Sequence, residues 1–307
     1  INSMNIFCYV SLNDSQKDLL KKKINDNFFF IEDSKEKSLK NFMNCEVCFG
    51  NPELDWVVKS KNLKWIQLES VGFEKYSKVK IPGLKISNLR GFFSIPVAET
   101  ALAGILSLKR GINRLLSLKN KKKWLGSRIR PTLNLLNGSN VLILGAGSIG
   151  LKIKNLLEKF NCKILMYDKF KNDADLININ DLDNHLPNVD ILIGCLPENN
   201  ETKRLLDNYR INLLKKSSII VNVGRGSLID EKTLIHNIKS EKLAGAFLDV
   251  TDKEPISNDS PLWSIPNIIL SQHSGGGYEN EVNDKIIFFK KNLSRYKNKT
   301  LPKNIVL

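Results

Sequence analysis

Apolar and polar positions divide the chain into two stretches of alternating strands and helices. Residues 96–120 place apolar side chains at helical spacing behind Pro96, which predicts one long helix. The basic stretch 119–131 that follows ends in Arg130-Pro131 and predicts a loop. Before these residues, segments of helical polarity, of which 15–24 is the clearest, separate short apolar runs that predict strands over 5–10, 46–49, 65–68 and 84–87.

From residue 140 onward, the apolar runs become continuous. They predict buried strands over residues 141–144, 163–167, 190–196, 218–223, 244–250 and 267–271. Such strands separated by helical segments indicate a parallel sheet that is covered on both faces. An amphipathic helix over 279–296 completes the pattern. We therefore predict an α/β fold with two domains, of which the second is a doubly wound parallel sheet and the first is a smaller α/β domain.

Composition narrows the class of protein. With 42% hydrophobic and 26% charged residues in 307, wholesale disorder is excluded. No apolar run reaches the roughly 18 residues of a membrane span, and the N-terminal stretch lacks the pattern of a signal peptide. Five widely spread cysteines favour a reducing compartment over a disulfide scaffold, so we expect a cytoplasmic protein. Cys45 and Cys48 have no partner pair at zinc-like spacing, and we predict no metal site.

The charge balance is basic, with 47 Lys and Arg against 32 Asp and Glu and a net charge of +15. Most of this excess is lysine, whereas nucleic-acid-binding surfaces also favour arginine that is clustered on one face. Residues 109–130 hold a basic cluster without any acidic residue. We interpret this cluster as a solvated or interface segment and keep a polyanion contact as the alternative. Nucleic acid is not an expected partner.

A glycine motif follows the first strand of the second stretch. The residues Gly145-Ala146-Gly147-Ser148-Ile149-Gly150 lead into a helix, and Asp168 ends the next strand. This spacing is typical of dinucleotide binding, because the glycines permit a tight turn, close approach of a pyrophosphate and helix–strand packing. The Asp168 carboxylate favours NAD, since it accepts hydrogen bonds from ribose hydroxyls and repels a 2′-phosphate. Lys169 and Lys171 beside it leave NADP open as a second cofactor.

Polar residues also end the later strands, where an open parallel sheet binds ligands. Arg225 stands between two glycines after one strand, and His273 follows the last strand. Glu254 lies in the loop between them. An arginine fork can bind a carboxylate, and a glutamate can orient an imidazole and balance its charge. The spacing therefore suggests an acid–base constellation, with an ordinary surface salt bridge as the alternative.

Taken together, the motifs resemble those of the D-isomer-specific 2-hydroxyacid dehydrogenases over nearly the whole chain. The matching segments are Asn222-Val223-Gly224-Arg225-Gly226, Ala244-Gly245-Ala246, Asp249-Val250, Glu254-Pro255, Ser260-Pro261-Leu262-Trp263 and His273-Ser274-Gly275-Gly276. The resemblance implies that residues 1–96 begin a smaller, flavodoxin-like α/β substrate domain. Residues 97–278 would form the NAD-binding domain, a Rossmann-type, doubly wound parallel sheet. Residues 279–307 would return to the substrate domain as a helix and tail. It also implies a homodimer joined through the nucleotide domains and the 96–120 helix.

The resemblance implies an NAD(H)-dependent oxidoreductase that interconverts a small-molecule 2-oxoacid and the corresponding (R)-2-hydroxy acid by hydride transfer. His273 would be the acid/base, Glu254 its partner, and Arg225 the group that binds and polarises the substrate. Main-chain amides at Val71 and Gly72 would help to hold the substrate carboxylate. The implied cofactor-binding residues are Gly145, Gly147, Ser148, Ile149, Gly150, Asp168, Cys195, Leu196, Pro197, Thr202, Val223, Gly224, Arg225, Asp249, His273, Gly275 and Gly276.

Some positions depart from the family's pattern. Ser271-Gln272 stands where the family usually has Thr-Pro, and Glu198-Asn199-Asn200 stands where Leu-Thr-Pro is common. These departures leave the substrate open, with glyoxylate, hydroxypyruvate or a larger 2-oxoacid as candidates. Two alternatives remain: a dehydrogenase of phosphoglycerate or another phosphorylated substrate, and an NAD(H)-sensing, co-repressor-like binding protein on the same fold.

Overall fold

A computed structural model describes residues 3–307. The chain divides into two compact units. The smaller unit combines residues 3–92 with Tyr278–Leu307, and the larger unit comprises Phe93–Gly277.

The helices and strands follow one another in alternation along most of the chain. In chain order they are β1 (Asn5–Cys8), α1 (Asp14–Lys21), β2 (Asn27–Phe30), α2 (Lys35–Met43), β3 (Val47–Phe49), α3 (Leu54–Lys59), β4 (Trp65–Gln67), β5 (Lys85–Ser87), α4 (Ser94–Lys109), α5 (Ile112–Asn120), β6 (Asn140–Leu144), α6 (Ser148–Glu158), β7 (Lys163–Tyr167), α7 (Ile179–His185), β8 (Ile191–Gly194), α8 (Asn208–Leu213), β9 (Ile219–Asn222), α9 (Glu231–Lys239), β10 (Gly245–Leu248), β11 (Ile268–Leu270) and α10 (Glu281–Lys297). Short 3₁₀ helices occupy Glu74–Tyr76, Gly126–Thr132, Leu186–Asn188, Gly226–Leu228 and Pro261–Ser264.

The smaller unit is a five-stranded parallel sheet in the order β2-β1-β3-β4-β5. Successive side chains of a strand face opposite sides, so β1 buries Phe7 against α2 and α3, and buries Ile6 against α1 and α10. Phe289 of α10 stacks on Phe49 of β3 with ring centroids 4.5 Å apart. The last helix is therefore part of this unit's core.

The C-terminal tail extends the same sheet. Ile86 N–H donates to the Leu307 carbonyl (2.9 Å), and Val306 N–H donates back to Ile86 O (2.8 Å). Asn292 of α10 is buried and donates to Gln67 Oε1 at 2.8 Å. Its own Oδ1 accepts the Lys303 N–H, so helix and tail are both fastened to the sheet.

The larger unit is a six-stranded parallel sheet in the order β11-β10-β9-β8-β6-β7. In β6, Val141 and Ile143 enter one hydrophobic core while Leu142 and Leu144 enter the other. Both faces are covered, which explains the continuous apolar runs. The strand order reverses at β6, with β7 on one side and β8 on the other. The carboxyl ends of β6 and β8 are where such a sheet binds ligands.

The predicted fold class, with two α/β parts built on parallel sheets, is confirmed. The prediction of one helix over 96–120 is wrong, because α4 ends at Lys109 and α5 begins at Ile112. Gly111 between them adopts φ +64°, a left-handed conformation that an α-helix cannot contain. Within residues 3–307, no helix is long and apolar enough to cross a membrane.

Candidate functional site

The glycine motif forms the turn between β6 and α6. Gly145 has φ +117°, and a Cβ there would come within 3.1 Å of the Cys195 carbonyl carbon. At Gly150, a Cβ would meet Gly145 O at 2.0 Å, so only glycine allows α6 to pack this closely on the strand. Gly147 faces open space, with no heavy atom within 4 Å of a Cβ. The turn is therefore closed on its protein side and open where a pyrophosphate could approach the start of α6.

Asp168 connects this turn to the end of β7. Its Oδ2 accepts the Ala146 N–H at 2.9 Å, and its Oδ1 accepts the Phe170 N–H at 3.0 Å. The side chain is 9% exposed, which is enough to reach the neighbouring cavity. These two bonds fix the carboxylate beside the place where the ribose of a dinucleotide would lie.

A cavity of about 850 Å³ lies over the carboxyl ends of β6, β7 and β8. Thr202 closes one wall: its hydroxyl donates to Pro197 O at 2.6 Å and accepts the Asn199 N–H at 2.9 Å. The residues that line the cavity are Gly145, Gly147, Tyr167, Asp168, Lys169, Phe170, Lys171, Ile177, Asn178, Ile179, Cys195, Leu196, Pro197, Asn199, Glu201, Thr202, Leu205 and Arg210. Its size and mixed lining suit a nucleotide.

Cys195 belongs to this wall. Burial raises the pKa of its thiol to about 12. A thiol with such a pKa stays protonated near neutral pH, so Cys195 is unsuited to act as a nucleophile.

The turn after β9 presents Arg225. The buried Asn222 side chain accepts the Gly224 N–H and donates to the Arg225 carbonyl at 2.9 Å. At the residue that follows Arg225, Gly226, an added Cβ would lie 1.8 Å from the Thr251 carbonyl oxygen. The arginine is therefore held on a turn that packs, backbone to backbone, against the loop after β10.

That loop supplies Glu254, which is hydrogen-bonded to His273. Nδ1 of His273 donates to Glu254 Oε2 at 2.6 Å, and the second carboxylate oxygen, Oε1, accepts the Thr251 N–H at 3.0 Å. The other ring nitrogen, Nε2, has no partner among the described residues, and the side chain is 54% exposed. The pair thus combines an oriented imidazole with an open nitrogen that can exchange a proton.

The loop from Ser271 to Gly276 is fixed by Asp249 at the end of β10. Asp249 Oδ1 accepts from the Ser271 hydroxyl (2.7 Å) and the Gly275 N–H (3.0 Å), and its carbonyl accepts the His273 N–H (2.6 Å). Gln272 and His273 both have φ +55°. Proline cannot adopt this backbone conformation, whereas Gln272 can.

In the smaller unit, the loop after β4 exposes two main-chain amides. Asn88 Nδ2 donates to Val71 O at 2.7 Å, and the Ser70 hydroxyl donates to Gly72 O at 2.8 Å. The N–H groups of Val71 and Gly72 donate to no group in residues 3–307. Main-chain N–H groups that are free, in a loop whose carbonyls are fixed by hydrogen bonds, can bind an anion.

Comparison with known proteins gives the family. Residues 102–275, more than half of the chain, match the family model described as "D-isomer specific 2-hydroxyacid dehydrogenase, NAD binding domain". The chain belongs to the D-isomer specific 2-hydroxyacid dehydrogenase family.

Similar members of this family are named for different activities. The glyoxylate reductase of Thermofilum pendens is 30% identical over 78% of this chain and 75% of its own length. The D-3-phosphoglycerate dehydrogenase of Archaeoglobus fulgidus is 31% identical over 70% of this chain and 41% of its own length. A solved D-isomer specific 2-hydroxyacid dehydrogenase family protein from Aeromonas salmonicida superposes with a TM-score of 0.87 at 25% identity, covering 100% and 99% of the two chains.

This D-isomer specific 2-hydroxyacid dehydrogenase family member is thus an oxidoreductase with an NAD-binding domain in its larger unit. Several of the residues predicted to bind the cofactor line the same cavity: Gly145, Gly147, Asp168, Cys195, Leu196, Pro197 and Thr202. Ser148, Ile149 and Gly150 form the first turn of α6. The other predicted residues of this unit follow β9, β10 and β11, namely Val223, Gly224, Arg225, Asp249, Glu254, His273, Gly275 and Gly276. Val71 and Gly72 lie in the smaller unit.

Sequence reasoning missed some residues of the dehydrogenase site. Ser271 fixes Asp249, and Glu201 pairs with Lys169 across the cavity wall at 2.7 Å. The Ser271 contact could have been found, because the residue stands two positions before His273 at a strand end. The Glu201 contact joins loops after different strands, and no spacing rule predicts it.

Proposed function

We propose that the protein is an NAD(H)-dependent oxidoreductase that interconverts a 2-oxoacid and the corresponding (R)-2-hydroxy acid, with His273 as the acid/base. The observation that supports this most directly is the 2.6 Å hydrogen bond between His273 Nδ1 and Glu254 Oε2. It leaves Nε2 available to donate a proton to the substrate's C2 oxygen in reduction, or to remove it in oxidation. When bound, the nicotinamide supplies or takes up the hydride at C2.

The roles of the neighbouring residues follow from their chemistry. Glu254 orients the ring and stabilises its positive charge when the proton is on Nε2. Arg225 offers a planar fork that binds the substrate carboxylate and polarises the carbonyl. Within the smaller unit, the free amides of Val71 and Gly72 are proposed to bind a carboxylate oxygen. Asp249, fixed by Ser271 and Gly275, is proposed to orient the nicotinamide amide.

NAD is the proposed cofactor. The open face of Gly147 and the first turn of α6 accommodate a pyrophosphate, and the fixed carboxylate of Asp168 suits ribose hydroxyls. A 2′-phosphate would meet the negative charge of Asp168.

The test is oxidation of NADH, followed at 340 nm, against a panel of 2-oxoacids from glyoxylate and hydroxypyruvate to phenylpyruvate, with NADPH in parallel. We expect turnover with one group of the panel and a preference for NADH. A phosphorylated hydroxypyruvate is tested beside the panel. If it alone were turned over, the proposed substrate class would change to phosphorylated 2-oxoacids, in line with the similarity to D-3-phosphoglycerate dehydrogenase. Bound NADH without turnover of any member would contradict the proposed reaction.

We further infer that the protein forms a homodimer, in which two copies of the chain associate through helix α5 and the loop that follows it. Trp124 is 90% exposed, and Leu115 and Leu116 of α5 are 41% and 55% exposed. Trp124 and Leu115, together with Leu118, Leu125 and Ile129, line a mostly apolar groove of about 410 Å³, whose lining also includes three lysines. Such a continuous apolar surface is typical of a protein–protein interface.

Replacing Trp124 by glutamate is expected to shift the protein from dimer toward monomer, because a charge would be buried in this interface. Light scattering after size-exclusion chromatography measures the change. Phe170→Glu is the matched control, since Phe170 is also an exposed aromatic residue but lies outside the groove. A wild-type protein that is monomeric at all accessible concentrations would contradict the inference.

A further inference from the structure

A salt bridge at the cavity wall joins the loop after β7 to the loop after β8. Lys169 Nζ lies 2.7 Å from Glu201 Oε1, and both residues line the 850 Å³ cavity. Lys169 directly follows Asp168, the residue proposed to contact the ribose. The hydrogen bond to Glu201 raises the pKa of the Lys169 ammonium, so the lysine remains charged and paired.

This pairing matters because positively charged side chains near the acidic residue at the end of this strand are the groups that bind the 2′-phosphate of NADP. Lys169, Lys171 and Arg210 are the cationic residues of the cavity lining. Arg210 already forms a two-pronged contact with Asp183, with Nε to Oδ1 at 2.7 Å and Nη2 to Oδ2 at 3.3 Å. Two of the three cations are therefore held by carboxylates of the protein itself.

We propose that Glu201 determines cofactor specificity by keeping Lys169 away from the 2′-phosphate of NADP. This inference rests on the proposed function, in which the cavity holds the adenosine half of the cofactor. Glu201 acts in two ways: it occupies the ammonium group that would otherwise bind the phosphate, and it adds a second negative charge beside Asp168. Two residues thus contribute to the specificity for NAD: Asp168 at the end of β7 and Glu201 in the loop after β8.

The predicted effect of Glu201→Gln is a gain in NADPH affinity with little change for NADH. Each exposed charge contact changes affinity by at most a factor of about five, and the variant changes two such contacts. We expect the ratio of the Kd for NADPH to the Kd for NADH to fall roughly three- to tenfold. Fluorescence titration of the reduced cofactors measures both constants directly, without turnover.

Two further variants separate the proposed cause from its alternatives. Glu198→Gln removes the same charge from the same loop, at a residue that does not line the cavity, and should leave the ratio near the wild-type value. In the double variant Lys169→Met/Glu201→Gln, the gain in NADPH affinity should be lost. Raising the salt to about 0.5 M should reduce the gain of the single variant, since the contacts are exposed and screened.

An unchanged ratio in Glu201→Gln, with NADH still bound, would overturn this inference and leave the proposed function intact. A gain that persists in the double variant would also overturn it, because Lys169 would then not be the group that binds the phosphate. Failure of the wild-type protein to bind either cofactor would overturn the proposed function and, with it, this inference.

Discussion

Replacing His273 by alanine is expected to lower kcat by about 10²- to 10⁴-fold, while the Kd for NADH stays within about threefold of the wild-type value. In the proposed reaction the imidazole exchanges the proton at the C2 oxygen, through the Nε2 that its bond to Glu254 leaves open. The cavity over β6, β7 and β8, which is proposed to hold the cofactor, is lined by other residues. Single-turnover kinetics and fluorescence titration of NADH give the two quantities separately.

His236→Ala is the control, because His236 lies exposed on α9 and lines no part of the cavity. It should retain wild-type kcat. If His273→Ala kept more than about a tenth of the wild-type kcat, the assignment of His273 as the acid/base would be wrong, since general acid–base groups contribute at least about a hundredfold.

The second large effect is expected for Gly226→Ala. The added methyl carbon would lie 1.8 Å from Thr251 O and 2.0 Å from Thr251 C, and backbone atoms cannot rotate away from it. The turn that holds Arg225 and the loop that holds Glu254 must then separate. We expect the free energy of unfolding to fall by about 2–4 kcal/mol and kcat to fall at least about tenfold.

Thermal unfolding followed by circular dichroism measures the stability change, with an expected decrease in Tm of roughly 5–12 °C for a domain of this size. Gly147→Ala is the matched control, because its Cβ would meet no heavy atom within 4 Å. It should keep the wild-type Tm and lose affinity for NADH, since its methyl group would stand where the pyrophosphate approaches. A wild-type Tm and kcat in Gly226→Ala would contradict the close packing of the two loops.

The larger unit could be predicted well from the sequence, because its strands are buried on both faces and appear as uninterrupted apolar runs. The glycine motif and Asp168 follow a spacing that dinucleotide binding imposes on any chain. The edge strand β2 could not be predicted in the same way. Its residues Asn27–Phe30 are half-buried or exposed, and a four-residue strand has no periodicity to distinguish it from a loop.

The remaining differences arise from contacts distant in sequence and from backbone conformation. The helix break at Gly111 depends on one glycine adopting a left-handed conformation, which an otherwise helical pattern does not reveal. The left-handed backbone at Gln272 and His273 is held by Asp249, more than twenty residues earlier in the chain. The sequence alone could therefore point to the candidate site residues. It could not give their geometry, which depends on contacts between the ends of separate strands.

The packing of α10 in the smaller unit has a consequence for synthesis on the ribosome. The strands β1, β3 and β4 precede the larger unit in the chain, yet the face that holds Ile6 and Trp65 is covered by Ile286, Phe289 and Leu293, which follow that unit. Domains generally fold as units while the chain is being synthesised. The nascent smaller unit must therefore keep an apolar face uncovered while the whole larger unit is translated, and exposed apolar surface of this kind favours aggregation during that interval.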